Sequence, residues 1–205
     1  GLFKDSTIYL GERANEINLR LINSSPYFKN TDKLVYFATH SLPANSEISN
    51  DPGLALTPPD TPSVIDDGLL AFDEIADLDL SGDYVTLAAC KTFDGLYPGS
   101  EKYTGLPAAF FSAGANGLLL SMWDIESTSA AEFNKILYGK MFSEKLSFQE
   151  AISAASIELI NSEKYSHPYF WGPYFYLGAH PILSGTLFEI FEPTLEKLEK
   201  DIDSQ

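Results

Sequence analysis

Residues 34–40 read Leu-Val-Tyr-Phe-Ala-Thr-His, and residues 84–90 read Tyr-Val-Thr-Leu-Ala-Ala-Cys. Each stretch is a run of apolar and β-favouring side chains that ends in a chemically reactive one. Continuous apolar runs of this length are typical of strands that other elements cover on both faces. In an open α/β sheet, functional sites lie in the crevice outside the carboxyl ends of the strands. The two stretches therefore predict buried strands that carry His40 and Cys90 at the functional edge of one sheet.

Strand and helix patterns alternate along the rest of the chain. Further strand patterns occupy residues 7–10, 118–122 and 174–177, and helical patterns occupy residues 12–23, 72–76, 106–113, 128–142 and a segment opened by the capping box Ser147-Phe148-Gln149-Glu150. This alternation indicates βαβ units, which form a mostly parallel sheet with helices on both faces. We therefore expect an α/β fold, in which residues 41–67 form an insertion or a hairpin near the end of the first buried strand.

The length of 205 residues suits one domain with a full hydrophobic core. We expect that domain to cover residues 1–185, and residues 186–205 to form an acidic C-terminal tail with a short appended helix. A loop is expected at residues 93–104, directly after the cysteine. The chain begins with Gly1 and shows no signal-peptide pattern there, so we expect it to be a segment of a longer protein.

The net charge disfavours several kinds of partner, and the cysteine count bears on the compartment in which the protein works. The chain has 13 Lys and Arg residues against 29 Asp and Glu residues, a net charge of −16. This charge opposes binding to nucleic acid or to an anionic membrane surface. No apolar run approaches the ~20 residues that span a bilayer. The single cysteine rules out an internal disulfide and fits a reducing compartment, so we expect a cytoplasmic location.

The chain shows no sequence pattern for a metal or a nucleotide. One cysteine and three scattered histidines have no metal-ligand spacing, and there is no G-x-G-x-x-G or Walker-type phosphate loop. A G-x-S-x-G elbow is also absent, which excludes the usual serine hydrolase. We therefore expect no metal and no other cofactor.

Cys90 and His40 together suit nucleophilic catalysis by a thiolate. A single Cys with a His about 50 residues upstream is typical of caspase-type cysteine proteases. A histidine within hydrogen-bond reach can take the thiol proton and later protonate the leaving amine. Backbone N–H groups must then stabilise the oxyanion. Those of Ser41 and Cys90 are the candidates, because turns that leave a strand end have unpaired amides.

Structural roles for these residues remain open at this point. A lone Cys after Leu-Ala-Ala is, by itself, most often a small buried apolar residue. His40 at a strand end would equally serve as a structural hydrogen-bonding residue. His167 and His180 each precede a proline, so we expect them in turns, where they are weaker candidates for the base.

The order of several short strings resembles that of the CHAT domain, a caspase-like cysteine peptidase domain that is often fused to tetratricopeptide (TPR) repeats in bacteria. The resemblance covers about residues 9–178. It rests on the strings Tyr9-Leu10-Gly11-Glu12-Arg13-Ala14, Val35-Tyr36-Phe37-Ala38-Thr39-His40, Asp67-Gly68-Leu69-Leu70, Leu87-Ala88-Ala89-Cys90-Lys91-Thr92, Ala109-Phe110-Phe111-Ser112-Ala113-Gly114-Ala115, Ser121-Met122-Trp123 and His167-Pro168-Tyr169-Phe170-Trp171-Gly172.

The resemblance implies a caspase-like three-layer α/β/α sandwich with a mostly parallel central sheet. It implies that His40 is the base and Cys90 the nucleophile of a regulated endopeptidase with a protein substrate. A TPR-like regulatory segment in the same or a partner chain is implied as well. The family resembles separase, which implies that Asp124 and Glu126 line an S1 pocket for a basic side chain. Charge at the amino end of the following helix is the alternative role for these two carboxylates.

Two departures from the family pattern bear on activity. Ser41 stands where the family usually has Gly, and its amide can donate only if its backbone angles suit a residue with a Cβ. The caspase string Q-A-C-x-G is replaced by Ala-Ala-Cys-Lys-Thr, so cleavage after Asp is not implied. A catalytically silent, caspase-like interaction module is therefore the second hypothesis. The presence of both His40 and Cys90 argues against it, since decayed peptidases commonly lose one of the pair.

Overall fold

The computed structural model describes residues 7–29, 33–46, 49–88, 92 and 105–179 of the chain. Within these ranges the strands are β1 (Leu34–Phe37), β2 (Ser41–Leu42), β3 (Gly53–Ala55), β4 (Leu69–Ala71), β5 (Tyr84–Leu87), β6 (Gly117–Ser121) and β7 (Tyr174–Gly178). The α-helices are α1 (Glu16–Asn23), α2 (Pro26–Lys29), α3 (Phe72–Ala76), α4 (Leu106–Ser112), α5 (Ser127–Ser143), α6 (Phe148–Ile160) and α7 (Pro168–Trp171).

Four of these strands form the central sheet in the order β1-β5-β6-β7. β1, β5 and β6 run parallel, and β7 is antiparallel to β6. Parallel neighbours need a crossover connection. α3 lies on the chain between β1 and β5, and α4 lies between β5 and β6. The prediction of a mostly parallel sheet is confirmed.

The central sheet separates two apolar clusters, because successive side chains of a strand point to opposite faces. In β1, Val35 and Phe37 belong to one cluster, and Leu34 and Tyr36 belong to the other. The first cluster includes buried side chains of α1, α3 and α4, and the second includes those of α5 and α6. The protein is therefore a three-layer α/β/α sandwich, as predicted.

The predicted capping box begins α6. The Ser147 Oγ accepts the N–H of Glu150 at 3.3 Å, and the Glu150 carboxylate accepts the N–H of Ser147 at 2.9 Å. These bonds satisfy backbone groups that the first turn of a helix leaves unpaired. Within α6, Ile152 is only half-buried. The buried stripe consists of Phe148, Ala151, Ala155 and Leu159.

The residues after His40 form a second, three-stranded antiparallel sheet in the order β2-β3-β4. Its central strand carries Leu54, which pairs with Leu70, and both side chains are fully buried in the cluster that includes α1. Gly53 allows a close approach here, since a Cβ at this position would lie 2.9 Å from the carbonyl oxygen of Leu70. The predicted insertion is therefore a small folded sheet that begins directly after His40.

The prediction of a strand at residues 7–10 is wrong. These residues are not part of a strand, and Gly11–Arg13 form a 3₁₀ turn. The helix predicted from residue 12 begins only at Glu16, where the Asn15 Oδ1 accepts the N–H of Asn18 at 2.9 Å. A strand needs a neighbour with which to share hydrogen bonds, and a short local apolar run does not specify one.

Some predictions lie outside the described residues. They include the loop at residues 93–104, the tail over residues 186–205, the turn at His180 and the position of Cys90. Among the helices that the structure does describe, none combines the length and the apolar character needed to pass through a bilayer.

Candidate active site

His40 lies three residues beyond the end of β1 and is exposed. Its backbone oxygen accepts the N–H of Ala55 at 2.8 Å, and the hydroxyl of Thr39 donates to the oxygen of Ala55. Two hydrogen bonds to one residue at the end of β3 therefore fix the backbone around the histidine. This arrangement holds the residue in place and leaves its imidazole accessible.

The strands that precede His40 and Cys90 are adjacent and parallel. Their register pairs Phe37 with Leu87 and keeps an offset of 50 residues along the whole of β1. The N–H of Ala88 donates to the oxygen of Phe37 at 2.9 Å, which extends the contact between the strands. His40 and Cys90 are also 50 residues apart. Cys90 itself lies outside the described residues.

Thr92 follows Cys90 by two residues and is completely buried at the carboxyl end of β6. Its Oγ1 accepts the N–H of Ser121 at 2.9 Å and lies 3.4 Å from the backbone oxygen of the same residue. Ser121 is the last residue of β6. The chain after Cys90 is therefore attached to the end of the next strand of the central sheet.

A cavity of about 340 Å³ lies beside His40. The end of β1, the residues after β3 and the segment before α1 line it, with Phe37, Leu56 and Arg13 among their side chains. The Arg13 guanidinium lies 5.2 Å from the centre of the Tyr9 ring, a cation–π distance. The volume falls in the ~300–1,000 Å³ range of ligand pockets and suffices for a substrate side chain.

The segment before α1 is fixed to the chain that leaves β3. The N–H of Thr57 donates to the oxygen of Ala14 at 2.9 Å, and the Thr57 hydroxyl donates to the oxygen of Gly11 at 2.8 Å. At the start of α1, the buried Glu16 carboxylate accepts the N–H groups of Asp67 and Gly68, each at 3.0 Å. One wall of the cavity therefore depends on the small sheet and the turn before β4.

Near this wall, the carboxyl of Glu16 has a strongly shifted pKa. Burial raises the pKa of its carboxyl from 4.5 to about 7. The charges of Glu74 and Asp67 also raise this pKa, while the two backbone hydrogen bonds lower it. Arg20 lies 3.8 Å from Glu16 but only 2.7 Å from Glu74. At neutral pH, Glu16 therefore exists in both protonation states.

Asp124 and Glu126 are exposed and lie on the connection between β6 and α5. Glu126 directly precedes α5, where a carboxylate suits the positive end of the helix dipole. The Tyr169 hydroxyl donates to the backbone oxygen of Asp124 at 2.7 Å and ties the connection to α7. Neither carboxylate lines the cavity beside His40. Their assignment to an S1 pocket stays a prediction.

Ser41 belongs to a strand and not to the expected turn. It begins β2 and is the register partner of Leu54. Its backbone is not among those with a positive φ, so its Cβ causes no strain at a position where the family usually has Gly. The oxyanion role of the Ser41 N–H stays a prediction. So does that of the Cys90 N–H, which lies outside the described residues.

His167 has a structural contact. It precedes α7, and its Nδ1 accepts the N–H of Tyr169 at 3.2 Å, so it caps this helix. Over the described ranges, no group of three or more His, Cys, Asp or Glu side chains is placed to hold a metal ion.

Sequence reasoning assigned no role to Thr92 or Arg13. Both lie in strings that carry the family resemblance, which was the available signal. The burial of Thr92 against β6 and the place of Arg13 on the cavity wall depend on contacts between distant segments.

The family model for the CHAT domain matches residues 2–186 of the chain. No curated protein matches the sequence of this chain.

Proposed function

This chain belongs to the CHAT domain family, a caspase-like family, and from that premise we propose that it is a regulated cysteine endopeptidase that cleaves a protein partner. Cys90 is the proposed nucleophile and His40 the proposed base. The β1–β5 register is the observation that carries the proposal, because its offset equals the separation of the two residues.

The register supports the pairing of these side chains in the following way. Adjacent strands lie about 4.8 Å apart. His40 and Cys90 each follow, by three residues, one member of the register pair Phe37 and Leu87. Two chains that leave neighbouring strands in step emerge side by side at the carboxyl edge of the sheet. This is the edge at which sites form in open α/β sheets.

The proposed reaction passes through an acyl-enzyme. His40 removes the thiol proton, and the Cys90 Sγ forms a bond to the carbonyl carbon of the scissile peptide. The C–N bond then breaks, and the imidazolium returns its proton to the leaving amine. In the second half, His40 takes a proton from water, the hydroxide oxygen bonds to the thioester carbon, and the C–S bond breaks. The thiolate leaves and regains the proton from His40.

Charge stabilisation in both halves is assigned to the backbone. The N–H groups of Ser41 and Cys90 are the proposed donors to the oxyanion. The strand conformation of Ser41 supports this assignment in one respect, because it accommodates a side chain without strain.

Substrate selection is proposed to involve Asp124 and Glu126 as the S1 carboxylates for a basic P1 side chain. Both are exposed and lie beyond the carboxyl end of β6, on the same edge of the sheet as His40. The net charge of −16 would also attract a basic substrate. The cavity beside His40 is available for another side chain of the same substrate.

Regulation is proposed to come from a TPR-like segment in the same or a partner chain, in the cytoplasm. The family resemblance supports the regulatory segment, and the single cysteine fits a reducing compartment. Nucleic acid and membrane surfaces are not proposed as partners, because the net charge of −16 disfavours both.

A catalytically silent docking module is the second candidate function. The pairing of Ser41 with Leu54 favours it, since an amide within a strand is less exposed to a substrate than one in a turn. The two candidates differ in a measurable way, because only a peptidase depends on the Cys90 thiol.

The proposed function is tested by mass spectrometry of candidate partner proteins. These are incubated with the wild-type protein in its complete complex, and in parallel with Cys90→Ala and His40→Ala. We expect new termini only with the wild type. Cleavage retained by Cys90→Ala would refute the nucleophile assignment. A complete complex that cleaves nothing would support the docking module.

A further inference from the structure

Thr92 lies in the connection that follows Cys90, yet its side chain contacts the end of β6. Its side chain is fully buried, and its hydroxyl contacts both backbone groups of Ser121. It accepts the Ser121 N–H at 2.9 Å and donates to the Ser121 oxygen at 3.4 Å. A hydroxyl has one donor and two acceptor positions, so one side chain can serve both groups. Thr92 therefore takes the place of a neighbouring strand at the end of β6.

The pairing between β5 and β6 ends before it reaches Ser121. The last register pair is Thr86 with Leu119, and continued pairing would place Ala88 opposite Ser121. The N–H of Ala88 continues the ladder on the other side of β5, where it donates to the oxygen of Phe37 in β1. The N–H of Ser121 goes to Thr92. The chain that leaves β5 is thus attached first to the strand on one side and then to the strand on the other.

These two attachments flank Cys90 symmetrically in the sequence. Ala88 is two residues before the cysteine, and Thr92 is two residues after it. A reactive group is most effective when neighbouring contacts restrict it before the substrate binds.

We propose that Thr92 is a positioning residue, whose hydroxyl holds the chain after Cys90 against β6 and so directs the thiol toward His40. This inference rests on the proposed function, because it assumes that the thiol reacts with the help of His40. Thr92 acts through Cys90 and does not itself contact the substrate.

The single cysteine provides a direct readout of this effect. Iodoacetamide reacts with the thiolate: the S–C bond forms and iodide leaves, so the rate follows the thiolate population. The rate is measured from pH 5 to about pH 10, which brackets the ordinary thiol pKa of about 8.5. The full chain is used as wild type and as Thr92→Val, Thr92→Ser and His40→Ala. We expect the wild-type profile to rise well below the midpoint of a free thiol.

Thr92→Val keeps the shape of the side chain and removes its hydroxyl. We expect its profile to move upward by about one pH unit, with roughly tenfold slower alkylation at neutral pH. In the cleavage assay, kcat should fall by roughly tenfold or more while KM changes little, since a positioning effect acts on the reacting geometry. Thr92→Ser retains the hydroxyl and should keep the wild-type profile.

Thr86→Val is the matched control. Thr86 is a buried threonine of β5, and its hydroxyl hydrogen-bonds the Tyr138 hydroxyl in α5. This variant loses a buried hydroxyl contact within β5, and that contact does not involve the chain after Cys90. We expect it to lose stability while its alkylation profile stays that of the wild type.

Each result decides the inference. Equal profiles for Thr92→Val and Thr86→Val would overturn it, and so would a Thr92→Ser profile shifted as far as that of the valine variant. If Thr92→Val does not fold, Thr92→Ser carries the test and must keep the wild-type midpoint. A shift caused by His40→Ala but not by Thr92→Val removes this inference alone. A wild-type profile typical of a free thiol removes the proposed function as well.

Discussion

Lys33 and Asp83 form a buried ion pair, with 2.9 Å between Nζ and Oδ1, at the amino ends of β1 and β5. The offset of 50 residues that relates this pair also relates His40 to Cys90 beyond the carboxyl ends of the same strands. A slip of one residue would break the ion pair and turn the apolar side chains of β1 to the opposite layer. The ion pair therefore helps to specify the register on which the proposed site depends.

Removal of one partner of this pair should be strongly destabilising. Lys33→Met leaves the Asp83 carboxylate buried without its cation, for which losses of about 3–5 kcal/mol in the free energy of unfolding are typical. It also removes the contacts of the ammonium with Phe28, whose backbone oxygen lies 2.5 Å away and whose ring centre lies 3.6 Å away. Urea unfolding measures the change.

The exposed pair of Lys135 and Glu132 supplies the control for this effect. Lys135→Met should change the free energy of unfolding by less than about 1 kcal/mol. The double variant Lys33→Met with Asp83→Leu should recover much of the loss, because no charge is left buried. An effect of Lys33→Met as small as that of Lys135→Met would contradict a role in register.

The two proposed catalytic residues should behave as a unit. Cys90→Ala and His40→Ala should each lower kcat/KM by roughly 10³-fold or more, because the thiol and its base act in the same step. His167→Ala is the control, since that histidine caps α7 and has no proposed role in the reaction. It should cost about 1 kcal/mol of stability and leave kcat/KM nearly unchanged. A His40→Ala variant as active as His167→Ala would exclude the base assignment.

Glu16 should make the stability of the protein fall between pH 4.5 and about pH 7. Its folded-state pKa is raised to about 7 from 4.5, chiefly by burial, so the folded state holds the proton more tightly than the unfolded state. Stability from this group is therefore complete at low pH and is lost as the pH rises through this window. Each unit of the pKa difference corresponds to about 1.4 kcal/mol in the free energy of unfolding.

Urea unfolding of Glu16→Gln over the same pH range tests this expectation. The amide cannot ionise, so its decline with rising pH should be weaker than that of the wild type. Asp67, Glu74 and Arg20, which surround the carboxyl, remain in place. Glu12→Gln, which removes an exposed carboxylate before α1, should leave the decline unaltered. Identical pH profiles for the wild type and Glu16→Gln would show that Glu16 does not titrate in this range.

The P1 residue of the cleaved partner tests the proposed S1 carboxylates. If it is Lys or Arg, Asp124→Asn with Glu126→Gln should lower kcat/KM by at least about tenfold, since hydrogen bonds to charged groups contribute about 1.5–3 kcal/mol each. Glu132→Gln, an exposed carboxylate farther along α5, is the matched control. An apolar or acidic P1 residue would contradict these carboxylates and direct attention to the cavity that Arg13 lines.

The parts of the fold that local patterns specify were predictable from the sequence. Residues 34–38 and 84–89 are apolar runs, and the structure has strands at Leu34–Phe37 and Tyr84–Leu87. The capping box at Ser147 and the periodic apolar residues after it likewise predicted α6. The prediction from an apolar run was wrong at residues 7–10, which do not belong to a strand.

The candidate site likewise combines features that the sequence predicted with features that only the folded structure showed. The sequence placed His40 and Cys90 at strand ends, because the apolar runs stop there. Three features needed the folded structure: the strand conformation of Ser41, the cavity beside His40 and the attachment of Thr92 to Ser121. Each depends on which distant segment lies alongside.

The sequence by itself determined the α/β class and the mostly parallel sheet, and it supplied His40 and Cys90 as the proposed catalytic pair, since burial patterns and residue chemistry are local properties of the chain. Tertiary structure alone decided that β1 and β5 pair with an offset of 50 residues, that Ala88 is attached to β1 and that Thr92 is attached to β6. The physical reason is that register and side-chain burial arise from contacts between distant segments. A local sequence pattern indicates that a segment becomes buried, but it does not indicate which distant segment covers it.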